Sequence, residues 1–255
     1  MRNILTICGK EFRAYFTGPI AYLLMALFGL IMGYMFYAFT ASFVMAGMRQ
    51  QMSGQGGPMS VNDYVVAGMF GNASVIALFL MPLISMRLFA EEKRSGTMEL
   101  LLTSPIGDWE IILGKWLGAM LMYLCMLALP MMDIALLFIW GKPAWQPILT
   151  GLLGLILFGG TVLAIGTFIS TTTKNQIVAG GATFAVCLLL FILNWVSSFN
   201  DAPWAQWVAY CSILSHIEPF SRGIIDSKDV IFYLSAIFLG LFLTSRSLES
   251  LRWRA

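Results

Sequence analysis

The chain has 255 residues, 59% of them hydrophobic and 11% charged, with a formal net charge of +2 and a mean hydropathy of +0.81. Soluble domains carry about a quarter charged residues, so a water-soluble globular fold is excluded, and no basic stripe interleaved with aromatics offers a nucleic-acid surface. Four scattered cysteines (Cys8, Cys125, Cys187, Cys211), none in a Cys-x-x-Cys pair, and a single histidine supply neither a disulfide framework nor a metal-ligand set.

In chain order, residues Arg2 to Phe16 predict an amphipathic helix. Ile4, Cys8, Phe12 and Tyr15/Phe16 recur at helical spacing, and Arg2, Asn3, Lys10 and Arg13 fall elsewhere on the wheel. Such a helix lies in the membrane interface with its basic residues toward the headgroups. Gly18-Pro19 breaks the chain before the first apolar run. That run reaches about Val44, longer than the roughly 7–15 residues of a signal-peptide core, and we read it as a retained span.

Six spans are expected, at 19–44, 64–88, 111–140, 148–170, 177–196 and 227–246, since a crossing needs about 20 apolar residues. The apolar part of the sixth, Val230 to Thr244, is the shortest; its helix is expected to start at Ser227, capped by Asp226 with Asp229 completing a carboxylate capping box. Residues 47–60, rich in Gly, Gln, Met and Ser, read as a flexible loop, and 141–147 and 171–176 as tight connections. In the longest non-spanning stretch, 197–229, Trp204, Trp207, Cys211 and Leu214 keep helical spacing and predict a short helix at the interface, where tryptophans concentrate. The expected fold is therefore an all-α polytopic membrane protein forming one domain over residues 1–255.

Basic residues set the orientation. With the N-terminus in the cytoplasm, the inner segments hold eleven of them (Arg2, Lys10, Arg13, Arg87, Lys93, Arg94, Lys115, Lys174, Arg246, Arg252 and Arg254) and the outer segments four (Arg49, Lys142, Arg222 and Lys228). The positive-inside rule selects that orientation, with both termini cytoplasmic.

The densest charge lies between the second and third spans, in Glu91-Glu92-Lys93-Arg94-Ser95-Gly96-Thr97-Met98-Glu99-Leu100-Leu101-Leu102-Thr103-Ser104-Pro105. It reads as a helix with Met98, Leu101 and Leu102 on an apolar edge and Glu91, Glu92 and Glu99 on another side, ended by Ser104-Pro105, with Pro105 suited to open the next helix. Topology alone does not call for the acidic residues, which contribute little to it, so the segment is expected to dock a partner.

This run, followed by Ile106, Glu110-Ile111 and Gly114-Lys115, resembles the corresponding loop of type-2 ABC transporter permeases (the ABC-2 family). The later Glu218-Pro219-Phe220-Ser221-Arg222-Gly223-Ile224-Ile225-Asp226 is similar to the branch of gliding-motility-associated permeases. The resemblance covers essentially the whole chain, with an interfacial first helix and an outer interfacial helix before the last span. It implies a cytoplasmic coupling helix seated in a cleft of a separate ABC ATPase subunit, carried by Glu91, Glu92, Lys93, Arg94, Gly96, Thr97, Glu99, Leu101 and Leu102. It also implies a second ATPase contact through Lys10, Glu11 and Arg13 of the first helix, for which plain interfacial anchoring is the alternative. A second copy of this permease, or a paired one, is implied too, in a bacterial inner membrane. The chain shows no Gly-x-x-x-x-Gly-Lys-Ser/Thr loop, so it is expected not to be an enzyme and to hold no cofactor; ATP and Mg would be bound by the partner.

Asp133, beside Pro130, is the lone acidic residue read within the apolar part of a span, and an ionisable group at that depth is a functional candidate. Cargo or gating contact and structural pairing are both open to it. Asn194 is a weaker cargo candidate and Asn72 weaker still, its Asn-Ala-Ser sequon lying within a span. Selectivity is expected along the second and fifth spans and the outer loop before the sixth. Gly29-x-x-x-Gly33 and Gly114-x-x-x-Gly118 permit close helix approach. His216, beside Glu218, has no evident partner set and reads as an interfacial residue. The 17 methionines read as flexible apolar filling rather than a soft-metal path. The favoured function is the permease subunit of an ATP-driven exporter of an amphipathic or lipid-linked cargo. An ATP-independent transporter or channel, or a scaffold in an envelope or motility machine, are the competing readings.

Overall fold

A computed structural model describes residues 2–53, 60–103, 105–140, 143–199 and 203–252. Among the described residues 86% are helical, and six helices are long and apolar enough to cross a membrane. Helix α1 (Arg2–Thr17) precedes the first span, α2 (Pro19–Ser53). A π-helical turn (Asn62–Val66) opens the second span, α3 (Ala67–Ser85). Two short helices, α4 (Ala90–Ser95) and α5 (Met98–Leu102), lead to α6 (Asp108–Trp140). Then come α7 (Trp145–Ser170), α8 (Gln176–Phe199), the short α9 (Pro203–Tyr210) and α10 (Glu218–Ser221), and finally α11 (Ser227–Arg252).

Contacts sort the connections onto two faces. At one, here the terminal face, Asn3 donates to Glu110 at 2.9 Å and Arg252 pairs with Asp108 at 3.0 Å. There too Lys93 donates to the Thr171 carbonyl, and Thr171 Oγ1 donates to Ser247 at 2.7 Å. At the opposite face the Asn62 amide exchanges hydrogen bonds with the backbone of Ala144, and Thr150 donates to the Phe220 carbonyl at 2.8 Å. These ties satisfy polar groups at the helix ends, where the bilayer supplies no partner.

The centre is made by α3 and α7, each 67% buried along its apolar window, against 22% for α2 and for α8. Small residues let α7 serve as a hub. Gly151 lies against Phe70, Gly154 against Phe220 and Gly159 against Tyr123, where an added Cβ would come within 2.4, 2.7 and 2.1 Å of those side chains. Tyr123 lies buried across the α6–α7 seam and donates its hydroxyl to the Leu155 carbonyl at 3.1 Å. The outward faces of α2 and α8 keep Leu23, Leu30, Leu189 and Ile192 exposed, as a lipid-contacting surface requires.

Several local expectations are corrected. The loop expected from 47 is helical through Ser53, because Met45 to Met52 continue the first helix; residues 54–59 lie outside the described set. Pro105 does not open the third span. That helix starts at Asp108, where Gly107 accepts the Glu110 N–H at 2.9 Å and the Glu110 side chain reaches back to the Gly107 N–H at 3.4 Å. The third and sixth spans run longer than read, to Asp108 at one end and Arg252 at the other. The helix from Pro203 stops at Tyr210, leaving Cys211 and Leu214 in the turn beyond, while the Trp204 side chain lies outside the described set.

The Gly114-x-x-x-Gly118 pair receives α1 of the same chain. A Cβ at Gly114 would meet Ile7 at 2.7 Å and the Ile4 carbonyl at 3.1 Å; at Gly118 it would meet Glu11 at 2.7 Å and the Cys8 carbonyl at 3.2 Å. Gly33, by contrast, faces open space. Both Gly118→Ala and Gly33→Ala gain the same helix propensity, so the difference between them isolates the close approach. Gly118→Ala is expected to be less stable than Gly33→Ala by about 1–3 kcal/mol, measured by chemical unfolding in mixed micelles.

Candidate functional site

Because Gly118 admits α1 so closely, Glu11 is pressed against α6 one turn from Lys115. The Lys115 ammonium, with its side chain 3% exposed, lies 2.8 Å from Glu11 Oε1 and 2.7 Å from Glu92 Oε1. It also stands 5.2 Å from the Phe89 ring centroid, a cation–π contact. One lysine thus joins the first helix, the third span and the charged segment. Two carboxylates thus share one ammonium. Glu92 Oε2 faces no hydrogen-bond donor among the described residues. A 260 Å³ cavity beside it is lined by Lys10, Arg87, Glu91, Ser95 and Thr97 together with the triad.

A second tie lies alongside. Tyr15 is buried and donates its hydroxyl to the Ile84 carbonyl at 2.9 Å, while the Arg87 guanidinium lies 4.6 Å from its ring centroid and 3.4 Å from Glu91. Burial pushes the Tyr15 phenol far above its ordinary range, with Arg87 opposing, so the hydroxyl stays a donor. Burial also raises the Cys8 thiol on the same face of α1. Lys93 turns inward to the carbonyl that ends α7.

The charged segment is two helices rather than the single helix expected over 91–104. Gly96 takes φ 73°, a left-handed conformation that glycine adopts without strain, and the Thr97 N–H reaches back to the Glu92 carbonyl at 3.1 Å. This Schellman end stops α4 and lets α5 restart at a new angle. Its consequence is a division of the predicted site. Glu91, Arg94, Gly96, Thr97 and Glu99 are exposed, whereas Glu92 and Lys93 are held within the chain. The apolar edge also turns inward: Met98 is buried and Leu101 packs on the core, so it is Leu100, 72% exposed, that presents apolar surface. The Leu102 side chain lies outside the described set. On α1 the predicted group divides likewise, with Lys10 and Arg13 exposed and Glu11 buried. The sequence grouped Glu11 with Lys10 and Arg13; the glycine seat on α6 is what separates it from them.

Away from this junction, Asp133 is half-buried on a flank where Met132 and Leu136 are exposed, with no hydrogen bond or ion pair to another described residue. Asn72 donates to the Gly68 carbonyl at 2.9 Å, a bond within its own helix. Asn194 lines a 330 Å³ cavity at the opposite face with Asp63, Gly71, Leu214, Glu218 and Arg222. The second span, the fifth span and the loop before the sixth thus meet around one space.

His216 corrects the sequence reading. It is buried at 3% exposure, with Nδ1 2.6 Å from Asp229 Oδ1, Nε2 2.8 Å from the Tyr210 carbonyl and its ring stacked 3.9 Å from Phe232. Asp226 does cap α11, its Oδ1 accepting the Lys228 N–H at 3.2 Å; Asp229 does not complete the box, because His216 takes its carboxylate. Hydrogen bonding from Lys228 lowers the Asp226 carboxyl below the usual range. Asp229 lies buried in the first turn of α11, just before the apolar part of that span.

Comparison with family profiles matches residues 5–240 to the ABC-2 family transporter protein. The chain belongs to that family. Its members are membrane permease subunits and not ATPases themselves, so the six-span ABC-2 chain described here is a transporter permease subunit. A comparison with curated proteins finds no match.

Removing the ammonium would leave Glu11 and Glu92 facing each other away from water. Lys115→Met is expected to destabilise this permease by about 3–5 kcal/mol. Glu11→Gln and Glu92→Gln added to Lys115→Met should restore most of the loss, since no unpaired buried charge remains. Chemical unfolding in mixed micelles measures both.

Proposed function

We propose that this permease subunit is driven by a separate ABC ATPase that seats on the α4–α5 segment at the terminal face. The observation that carries the reading is the Lys115 triad. It fixes a short, outwardly charged helical pair to both the first helix and the third span, so a push on that pair is delivered to the membrane helices rather than absorbed by a loop. Glu91, Arg94, Thr97 and Glu99 would meet the ATPase, with Leu100 as an apolar anchor, and Lys10 and Arg13 of α1 would form a flanking contact. Glu92, Lys93 and Glu11 position these groups from behind. ATP and Mg would be held by the partner.

The terminal face is placed in the cytoplasm on the excess of basic residues, eleven against four, in a bacterial inner membrane. A second copy of this chain, or a paired permease, would complete the transporter. The cargo is proposed to be amphipathic or lipid-linked and exported, with the cavity at Asn194 and the half-buried Asp133 as its contacts. The Glu218–Asp226 stretch supports placing the chain with gliding-motility-associated permeases.

Glu91→Lys, Arg94→Glu and Glu99→Lys, combined in one variant, should weaken co-purification with the ATPase about tenfold or more. Stability should fall by no more than about 1 kcal/mol, the worth of the half-exposed Arg87–Glu91 pair. An unchanged complex would refute the assignment. Orientation has its own test, because Cys211 is exposed at the opposite face while Cys8 and Cys187 are buried. A membrane-impermeant maleimide added to intact cells should label Cys211, and labelling that requires broken cells would place the termini outside.

A further inference from the structure

We infer that His216 and Asp229 form a proton-binding site that locks the 210–217 turn onto the start of α11 when loaded and releases it when a proton is lost. The lock is separate from the ATPase-driven reading and needs no partner. Its first support is a count of protons. Nε2 lies 2.8 Å from the Tyr210 carbonyl, which can only accept, so Nε2 carries a hydrogen. Nδ1 lies 2.6 Å from Asp229 Oδ1, a contact that holds only with a proton between the two atoms. The pair therefore holds two protons, one more than a neutral imidazole beside a carboxylate.

Its second support is burial. His216 and Asp229 are 3% and 1% exposed, and Asp229 Oδ2 has no donor among the described residues. The surrounding charges are otherwise engaged. Lys228, beside Asp229, gives its ammonium to Asp226 at 3.0 Å, and Arg222 and Glu218 of α10 pair with each other at 2.6 Å. Tyr233 of α11 donates its hydroxyl to the Ile213 carbonyl at 2.7 Å. Tyr210 of α9 presents its carbonyl to His216 and its ring, edge-on, at 4.9 Å. The imidazole proton is thus what offsets the Asp229 carboxylate. A 350 Å³ cavity lined by Tyr210, Ser215, Pro219 and Lys228 reaches the pair and gives protons a route.

The mechanical consequence follows from the ring's two ends. With one proton lost, either Nδ1 turns a lone pair on Asp229 or Nε2 turns one on the Tyr210 carbonyl. One contact must open, and the turn that carries His216 separates from α9 or from α11. The lock is therefore closed at low pH and opens as pH rises.

His216 is the sole histidine, so ring-nitrogen NMR of the full chain in nanodiscs, purified without a histidine tag and carrying labelled histidine, reads this site alone. Amide exchange of residues 211–217, corrected for its intrinsic pH dependence, reads the turn. As pH rises, protection should fall about tenfold or more with the same midpoint as loss of the ring-pair proton. In Asp229→Asn the carboxamide can donate to Nδ1 of a neutral ring, so protection should persist and its pH dependence vanish. Wild-type protection that does not change with pH overturns the proposal, as does an Asp229→Asn variant that keeps the wild-type profile. If that variant does not fold, the wild-type midpoints decide: different midpoints for ring and turn, or a ring that never carries the extra proton, overturn it.

Discussion

A single ammonium buried between two carboxylates organises the terminal face of this ABC-2 permease. Lys115 cannot be left alone in a medium of low dielectric, nor can Glu11 or Glu92, so each specifies the position of the other two. Such a triad adds little net stability over apolar packing of the same volume. What it supplies is register: α1 must seat on the glycines of α6, and α4 must turn back over the start of that helix. The glycine seat and the triad are one device, since a side chain at Gly118 would push Glu11 away from the ammonium.

The two faces are built on the same physics with different partners. At the terminal face, ionic ties link short helices to span ends through Lys115, Lys93 and Arg252. At the opposite face, the His216–Asp229 pair and the carbonyl contacts of Thr150 and Tyr233 fix the stretch before the last span onto α7 and α11. Between them lies a closely packed centre in which α7 presents glycine toward aromatic side chains. A rigid centre with polar ties at each end suits a machine that moves helices as bodies. The ties join particular short segments to particular spans.

The six spans and the amphipathic first helix were legible because lipid imposes a length and composition that few other environments demand. The segment between the second and third spans was legible as charge in an apolar chain, and its motif led to the family. The direction in which its side chains point was not. Glu91 and Glu92 are adjacent and chemically alike, yet one faces outward and the other is buried; the difference comes from Gly96 and from a lysine more than twenty positions away. Gly114 and Gly118 announced a close approach without naming the helix that makes it. His216 was misread because its partners, Tyr210 and Asp229, are near in sequence but lie on either side of a turn that no periodicity describes. Spacing reads a helix face well, but it does not read contacts made across turns and between distant helices.

If Lys115 makes α1 and the α4–α5 pair one body, the separation between them should be narrowly defined. Spin labels at Thr6 and Leu100, both exposed, would report it by double electron–electron resonance in nanodiscs. A single narrow distance distribution is expected in the otherwise unaltered permease, and a broad one in Lys115→Met. Distributions of equal width in the two proteins would contradict the account.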